Sequence, residues 1–256
     1  MRALAAIRAA FALFSRLPVR AGEWDEDTRG RILAWFPLVG VVLGLIQFGA
    51  LYGLNALGVS PALWAAAAVV LPIAYTGGIH MDGFMDVIDA VSARAPREKM
   101  LEILHDPRCG AFAVIAAGCW LLLAFGLWQE LAGNVLAMAC LCAGYGLSRA
   151  MSAWCALTFP PARSNGLLRD LTQPAATGAR RGILIWAQCS ALAMVVLGGI
   201  PAGAALAGAL IAALLYGRLV RRFGGTTGDL AGWFLMVCEL VMLAAVVLIV
   251  RLMEVL

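Results

Sequence analysis

Long apolar runs separated by short polar segments dominate the sequence. A helix that crosses a bilayer needs about 20 mostly apolar residues. Seven runs approach or reach that length, at residues 34–54, 59–77, 110–128, 132–159, 182–199, 202–217 and 230–250. The pattern predicts an all-α, polytopic transmembrane helix bundle of about seven spans. We expect residues 1–256 to form a single integral membrane domain.

The N-terminal segment, residues 1–33, has an amphipathic pattern instead. Four apolar residues recur at helical spacing with three arginines between them: Leu4, Ile7, Phe11 and Phe14, and Arg2, Arg8 and Arg16. This pattern favours a helix that lies flat at the membrane interface. A cytosolic helix packed on the bundle is an equal alternative. Arginines interrupt the apolar stretch and no small-residue cleavage site follows, so we do not interpret it as a signal peptide.

Composition supports the membrane assignment. The chain is 63% hydrophobic and 13% charged, whereas a soluble domain is about 45–50% apolar and about 25% charged. A globular core of this size cannot bury so much apolar side chain. The net charge of +4 is too small to indicate nucleic-acid binding. Seven scattered cysteines form no CxxC pair, and we interpret them as small hydrophobic residues.

The basic residues are strongly segregated. The N-terminal segment and residues 78–109, 160–181 and 218–229 hold 17 of the 19 lysines and arginines. Lysine and arginine are retained preferentially in the cytoplasm. The N-terminus and these three segments are therefore expected on the cytoplasmic side, and the C-terminus on the other side.

Residues 78–109 contain a regularly spaced acidic cluster. Asp82, Asp86 and Asp89 fall within roughly 60° of arc on one helix face, at about 100° per residue. One reading is a solvated acidic face neutralised by nearby Arg94, Arg97 and Lys99. The other is a site for divalent cations, especially Mg²⁺, which is commonly bound by a few carboxylates and substrate phosphates. Such a cation would clamp a diphosphate.

Two arginines next to apolar runs are candidates for phosphate binding. Arg108 follows His105 and Asp106 at the start of the third run. It either extends to the membrane interface or grips anionic oxygens through two nitrogens. Arg149 lies inside the fourth run, where an ionisable residue is by default a functional hypothesis. Counting about 1.5 Å per residue places it near the cytoplasmic end.

A glycine-rich turn, residues 224–228, precedes the last run and is followed by Asp229. The simpler reading makes Asp229 the N-cap of a helix. The turn also exposes backbone N–H groups, which could donate hydrogen bonds to an anion, and Asp229 could join the metal cluster. The two readings are compatible.

Together these motifs resemble the cobalamin synthase family, the adenosylcobinamide-GDP ribazoletransferases. The resemblance spans the chain and rests on residues 15–19, 36–40, 77–83, 101–112, 148–149, 163–167 and 224–229. It implies a Mg²⁺-dependent enzyme of the bacterial inner membrane that joins adenosylcobinamide-GDP to α-ribazole or its 5′-phosphate and releases GMP. Residues 84–85, Ala231 and Trp233 depart from the family pattern, which affects the expected pocket wall.

The resemblance also implies roles for individual residues. The metal ligands would be Asp82, Asp86 and Asp89, with Asp229 as a fourth. Asp82, Asp89 or His80 would take the proton from the attacking alcohol. The expected substrate-binding residues are Arg16, Arg94, Asp106, Arg108, Arg149, Arg163, Gly225 and Gly228, with Arg108 and Arg149 first among the arginines.

Two rival functions stay open from the sequence. A CDP-alcohol phosphotransferase also uses spaced aspartates, but Met85 and Asp86 replace the Ala-Arg that follows its Asp-Gly. A small cation transporter would need charged groups near the middle of several spans, and only Glu239 lies well inside a run. The lipid bilayer and the two small-molecule substrates are the expected partners. An oligomer is compatible with the sequence, which does not predict one.

Overall fold

The structure is a computed structural model that describes residues 2–20, 22, 24–163, 166–173 and 177–256. Within these ranges the chain is helical and contains no β-strand. The helices, in chain order, are α1 Arg2–Phe14, α2 Glu26–Ala56, α3 Pro61–Thr76, α4 Ile79–Ser92, α5 Arg97–Ile103, α6 Ala111–Glu130, α7 Val135–Thr158, α8 Leu167–Thr172, α9 Ala179–Gly198, α10 Ile200–Phe223 and α11 Gly228–Val255.

Six of these helices are long and apolar enough to cross a membrane: α2, α6, α7, α9, α10 and α11. Helices α3 and α4 form a pair bent by 92°, which gives a seventh crossing if the pair counts as one span. The predicted all-α polytopic bundle is confirmed. The predicted second span, residues 59–77, is the 16-residue helix α3.

Two consecutive glycines produce the bend between α3 and α4. Gly77 has φ of +67° and Gly78 has φ of +81°, a left-handed conformation that glycine adopts without steric cost. The Arg16 side chain lies directly over Gly77, so any side chain there would overlap it. Helix α4 therefore runs at 92° to α3 and does not continue its direction.

Helix α7 is the centre of the bundle. In the most apolar stretch of α7, 78% of the residues are buried inside the protein. The corresponding share in the peripheral helix α6 is 17%. Helices α2, α9, α10 and α11 all pack on α7. On α2, Gly40 and Gly44 lie against the α7 carbonyls of Tyr145 and Cys142. Small residues at such crossings let helix backbones approach closely in a membrane.

Helix α1 packs on α2, so it lies against the bundle. The contact face combines part of the apolar stripe in the sequence with a row of alanines. Ala6, Ala9 and Ala10 are fully buried, whereas Leu4 is 61% exposed. Alanines face the bundle because they allow close packing of the two helices. Phe11 and Phe14 are half-buried and also pack on the bundle, and the Phe14 ring lies 4.2 Å from the Phe36 ring between centroids.

The four basic segments meet at one end of the bundle. The Arg16 N–H donates to the Tyr75 carbonyl beside the α3–α4 bend. The Arg163 guanidinium donates to the Leu101 carbonyl, and the Ala162 N–H donates to the Thr226 carbonyl. The last two contacts join three of the segments to one another, and the first holds the N-terminal segment beside the start of residues 78–109. The predicted grouping of the charged segments on one side is thus present in the fold.

This grouping predicts which residues a membrane-impermeant thiol reagent reaches. In oriented vesicles, a cysteine replacing Ala95 should be labelled only from the cytoplasmic side, because Ala95 lies in the charged α4–α5 connection. The matched control is a cysteine replacing Ala56, the exposed last residue of α2, at the opposite end. It should be labelled only from the other side. The opposite result at both positions would reverse the orientation of the bundle.

Candidate active site

The site is built on a close crossing of α4 and α11. A Cβ added at Gly83 would lie 2.9 Å from both the Cα and the carbonyl oxygen of Asp229. A Cβ added at Gly232 would lie 3.3 Å from the Cα of His80. Because both positions are glycine, the two backbones touch. Asp229, in the first turn of α11, is thereby held against the helix that carries the acidic cluster.

The carboxylates of the two helices share one electrostatic environment. Asp82 is exposed, whereas Asp86 and Asp229 are half-buried. Burial, together with repulsion from Asp82, Asp229 and Asp89, raises the pKa of Asp86 to about 6. The structure thus brings the predicted fourth carboxylate, Asp229, to the predicted cluster. A cation in this position would relieve the repulsion.

Asp89 makes contacts that the sequence did not indicate. Its carboxylate accepts hydrogen bonds from the N–H of Gly110 at 2.6 Å and from the N–H of Ala113 at 2.9 Å. These donors belong to the first turn of α6, so Asp89 acts as a cap supplied from a distant helix. A Cβ at Gly110 would lie 2.6 Å from this carboxylate. Asp89 therefore joins α4 to the start of α6.

The described residues contain no group of three or more His, Cys, Asp or Glu side chains arranged to hold a metal ion. The cluster nevertheless has suitable donors for a hard cation that takes its remaining ligands from substrate oxygens and water. Asp82, Asp86 and Asp229 would supply these donors. Asp89 has both carboxylate oxygens engaged at the α6 terminus.

A cleft with a cavity volume of about 280 Å³ opens beside the cluster. Its polar wall includes His80, Asp82, His105, Arg163 and Asp229. The rest of the lining is largely apolar and includes Phe14, Leu33, Phe36, Ala153 and Leu235. The cleft therefore combines an apolar surface with acidic and basic groups at one rim, which suits a ligand with an organic body and a charged arm.

The glycine-rich turn is anchored by backbone pairing. The Thr226 N–H donates to the Pro160 carbonyl at 2.8 Å, and the Ala162 N–H donates to the Thr226 carbonyl at 2.9 Å. A Cβ at Gly225 would lie 2.6 Å from the Ala162 Cα, so this approach requires glycine. The pairing sets Gly228 and Asp229 at the start of α11, on the wall of the cleft.

The proposed capping role of Asp229 is wrong. Thr227 is the N-cap of α11, and its hydroxyl accepts a hydrogen bond from the Leu230 N–H at 3.2 Å. The Asp229 carboxylate is thus not used to cap its own helix. It receives a long hydrogen bond of 3.4 Å from the Thr227 hydroxyl.

Arg163 is the predicted arginine that the structure orients most clearly at the cleft. Its guanidinium contacts the His105 ring and donates to the Leu101 carbonyl. It lies close enough to Asp229 for the two charges to interact. Contacts from two neighbours hold the guanidinium at the rim, opposite the acidic cluster.

The other surface arginines that the sequence predicted, Arg16, Arg94 and Arg108, lie outside this cleft lining. Arg108, 87% exposed, donates to Asp106 through two nitrogens at 2.9 and 2.7 Å. These hydrogen bonds lower the pKa of Asp106 to about 2. Arg94 is exposed with φ of +50°, and Arg16 packs over Gly77. The structure does not bring these residues to the carboxylates.

Arg149 is buried in the bundle and paired. Its guanidinium, 2% exposed, donates to the carboxylate of Glu239 on α11. The Ser148 hydroxyl lies 2.9 Å from the guanidinium and 3.1 Å from that carboxylate. The sequence analysis named Arg149 but missed this partner. One basic and one acidic residue, each inside an apolar run, were the signal that could have suggested the pair.

The sequence matches the cobalamin-5-phosphate synthase family over residues 6–247. Similar proteins include adenosylcobinamide-GDP ribazoletransferases from three bacteria. The protein from Lachnoclostridium phytofermentans is 35% identical over 250 residues, covering 97% of this chain and 95% of the relative. That from Azorhizobium caulinodans is 34% identical, covering 98% of each chain. That from Pseudomonas paraeruginosa is 35% identical, covering 96% of this chain and 99% of the relative. No solved structure matches.

The α4–α11 crossing predicts a specific sensitivity at Gly83. Gly83→Ala should destabilise the protein by about 1–3 kcal/mol, because the new methyl group meets backbone atoms that cannot move aside easily. Thermal unfolding in detergent would measure the loss. The control is Gly118→Ala in α6, where nothing lies within 4 Å of the added Cβ. An equal effect of both substitutions would argue against the crossing.

Proposed function

We propose that this chain, which belongs to the cobalamin-5-phosphate synthase family, transfers the adenosylcobinamide phosphate group of adenosylcobinamide-GDP to α-ribazole or α-ribazole 5′-phosphate. GMP is released. The relatives that carry the ribazoletransferase name match nearly the whole chain. The observation that carries the proposal is the α4–α11 crossing, which sets Asp229 beside the α4 carboxylates at a cleft that also contains Arg163.

The reaction determines what the site must do. An alcohol oxygen of the ribazole ribose attacks the phosphorus attached to the cobinamide arm, and the bond to the GMP oxygen breaks. Bound Mg²⁺ would neutralise charge on the diphosphate and on the departing GMP. Asp82, Asp86 and Asp229 are the residues that would hold this cation. Asp89 contributes by fixing α4 to α6 through its cap contacts.

Arg163 is our candidate for the phosphate clamp. Its guanidinium lies at the cleft and is oriented by His105 and Leu101. A planar guanidinium can donate two parallel hydrogen bonds to phosphate oxygens. Arg16, Arg94 and Arg108 would bind substrate outside the cleft, on the charged end of the bundle. Arg149 is buried, and its charge is already matched by Glu239.

We assign Asp82 as the general base that accepts the proton of the attacking alcohol. This carboxylate is exposed and lines the cleft, whereas the His80 ring is buried in its wall. Proton transfer needs the acceptor within hydrogen-bond reach of the alcohol, and an exposed side chain meets this condition. The apolar part of the cleft would exclude water that competes with the alcohol for the same phosphorus.

We place the protein in the bacterial inner membrane, with its charged end in the cytoplasm. Lysine and arginine segregate to that end, which favours this orientation. A nucleotide-activated substrate would then reach the cleft from the aqueous side, while its large organic part lies against the apolar wall and the bilayer surface.

The decisive assay measures GMP release by the purified protein. With adenosylcobinamide-GDP, α-ribazole and Mg²⁺, we expect GMP and a cobalamin product in equal amounts. A CDP-alcohol offered with the same acceptor should give no CMP. Release of CMP without release of GMP would assign the chain to the rival phosphotransferase class.

Substitutions in the acidic cluster should separate chemistry from folding. Asp82→Asn, Asp86→Asn and Asp229→Asn should each lower kcat by at least about 100-fold, with little change in thermal stability, because the cation requires charge and the amide preserves volume. Asp89→Ala should instead lower stability by about 0.5–2 kcal/mol, the usual effect of losing a helix cap. Wild-type turnover of the three Asn variants at limiting Mg²⁺ would remove the cluster from the mechanism.

The clamp assignment predicts that Arg163→Lys loses at least about tenfold in kcat/KM for adenosylcobinamide-GDP, roughly 1.4 kcal/mol of transition-state stabilisation. A lysine ammonium cannot reproduce two parallel hydrogen bonds to a phosphate. Arg251→Lys is the control, since Arg251 forms exposed ion pairs at the opposite end of α11. Unchanged kinetics of Arg163→Lys would move the clamp to one of the exposed arginines.

A further inference from the structure

The buried Arg149–Glu239 pair is not explained by the stability of the bundle. Arg149 is 2% exposed and Glu239 is 15% exposed, and the residues lie on α7 and α11, the helices that pack at the centre. The guanidinium also lies over the Tyr145 ring, 5.1 Å from its centroid. Removing two charges from water costs several kcal/mol per ion, and apolar residues of similar volume often serve stability as well or better. The pair therefore calls for another explanation.

A small cavity connects this pair to the active site. It has a volume of about 40 Å³, and its polar lining includes Thr76, His80, Tyr145, Arg149 and Glu239. A water molecule needs roughly 10–15 Å³ of such space and two to four polar partners. The cavity satisfies both conditions. It provides a route from the charges inside the bundle to the first turn of α4.

His80 stands between the cavity and the cleft, and its side chain lines both. The residue is 7% exposed, and its Nε2 atom has no hydrogen-bond partner among the described residues. A buried, unpaired ring nitrogen is costly. The backbone of His80 is held by its contact with Gly232, and its ring packs edge-on against Phe36 at 6.0 Å between centroids. His80 Nε2 is thus a polar atom, in the wall between the cavity and the cleft, that lacks a hydrogen-bond partner among the described residues.

We propose that the Arg149–Glu239 pair is a positioning device that orients the His80 ring through water held in this cavity. Ordered water would hydrogen-bond to His80 Nε2 on one side and to the ion pair on the other. The pair would thereby fix the tautomer of His80 and the first turn of α4, which carries Asp82. The inferred orientation of His80 does not depend on the proposed function. Its effect on turnover rests on the proposed function.

Nitrogen NMR of the histidine side chains tests the orientation directly. The chain contains only two histidines, so a ¹⁵N-histidine sample gives two sets of signals. A His105→Gln variant assigns them. In the wild-type protein we expect one dominant neutral tautomer for His80. The double variant Arg149→Met with Glu239→Met removes both charges and fills their place with apolar side chains. In this variant we expect a mixture of His80 tautomers.

Matched variants separate this effect from general loosening of the bundle. The double variant Arg251→Met with Glu130→Met removes an exposed pair at the far end and should leave the His80 signals unchanged. Should the first double variant fail to fold, Glu239→Gln removes one charge without changing volume and should also disturb the His80 signals. Unchanged His80 signals in a folded variant would overturn the proposal.

Kinetics distinguish a positioning role from substrate contact. In the folded double variant at Arg149 and Glu239, we expect kcat to fall at least about tenfold while KM for adenosylcobinamide-GDP is unchanged. A rise in KM alone would show that Arg149 binds the substrate, which overturns the positioning role. An altered His80 tautomer together with a wild-type enzyme that releases no GMP would leave the inference standing and reject the proposed function.

Discussion

The close crossing of α4 and α11 is the contact on which the site depends. Gly83 and Gly232 allow the backbones to touch, so Asp229 and the α4 carboxylates come from helices far apart in sequence and still share one environment. The cost of this arrangement is repulsion between like charges in a partly buried place. Such repulsion is tolerated where a cation and an anionic ligand complete the site.

The bilayer explains why the site lies at one end of the bundle. Unpaired charges are expensive among the spans. The acidic cluster is carried by α4, which the Gly77–Gly78 bend sets at 92° to α3. The glycine turn and the Pro160–Ala162 segment are held together there by backbone pairing. Residues from distant parts of the chain, from α1 to α11, can then line one cleft.

The Arg149–Glu239 pair lies within the central helices, and its two charges neutralise each other. Arg149 and Glu239 are joined by Ser148, and the pair borders the cavity that reaches His80. This arrangement differs from a transport pathway, in which unpaired charged groups line the middle of several spans. It also gives the central helix α7 a polar contact with the helix that carries Asp229.

The sequence by itself determined the features that depend on local pattern. Apolar run length defined the spans, the distribution of arginine and lysine defined the charged end, and helical spacing placed Asp82, Asp86 and Asp89 on one face. These properties need no knowledge of neighbouring helices. The ordered motifs also indicated the family, because they preserve residue types at fixed separations along the chain.

Only the tertiary structure decided which distant groups meet. Asp89 caps α6, Thr227 takes the capping role first given to Asp229, and Glu239 pairs with Arg149. Helix α1 buries Ala6, Ala9 and Ala10 completely, although its larger apolar residues form the clearer stripe and Leu4 of that stripe is exposed. Periodicity shows which face of a helix is apolar. It cannot show which neighbour that face meets, because backbone crossings and side-chain partners depend on how all the helices pack together.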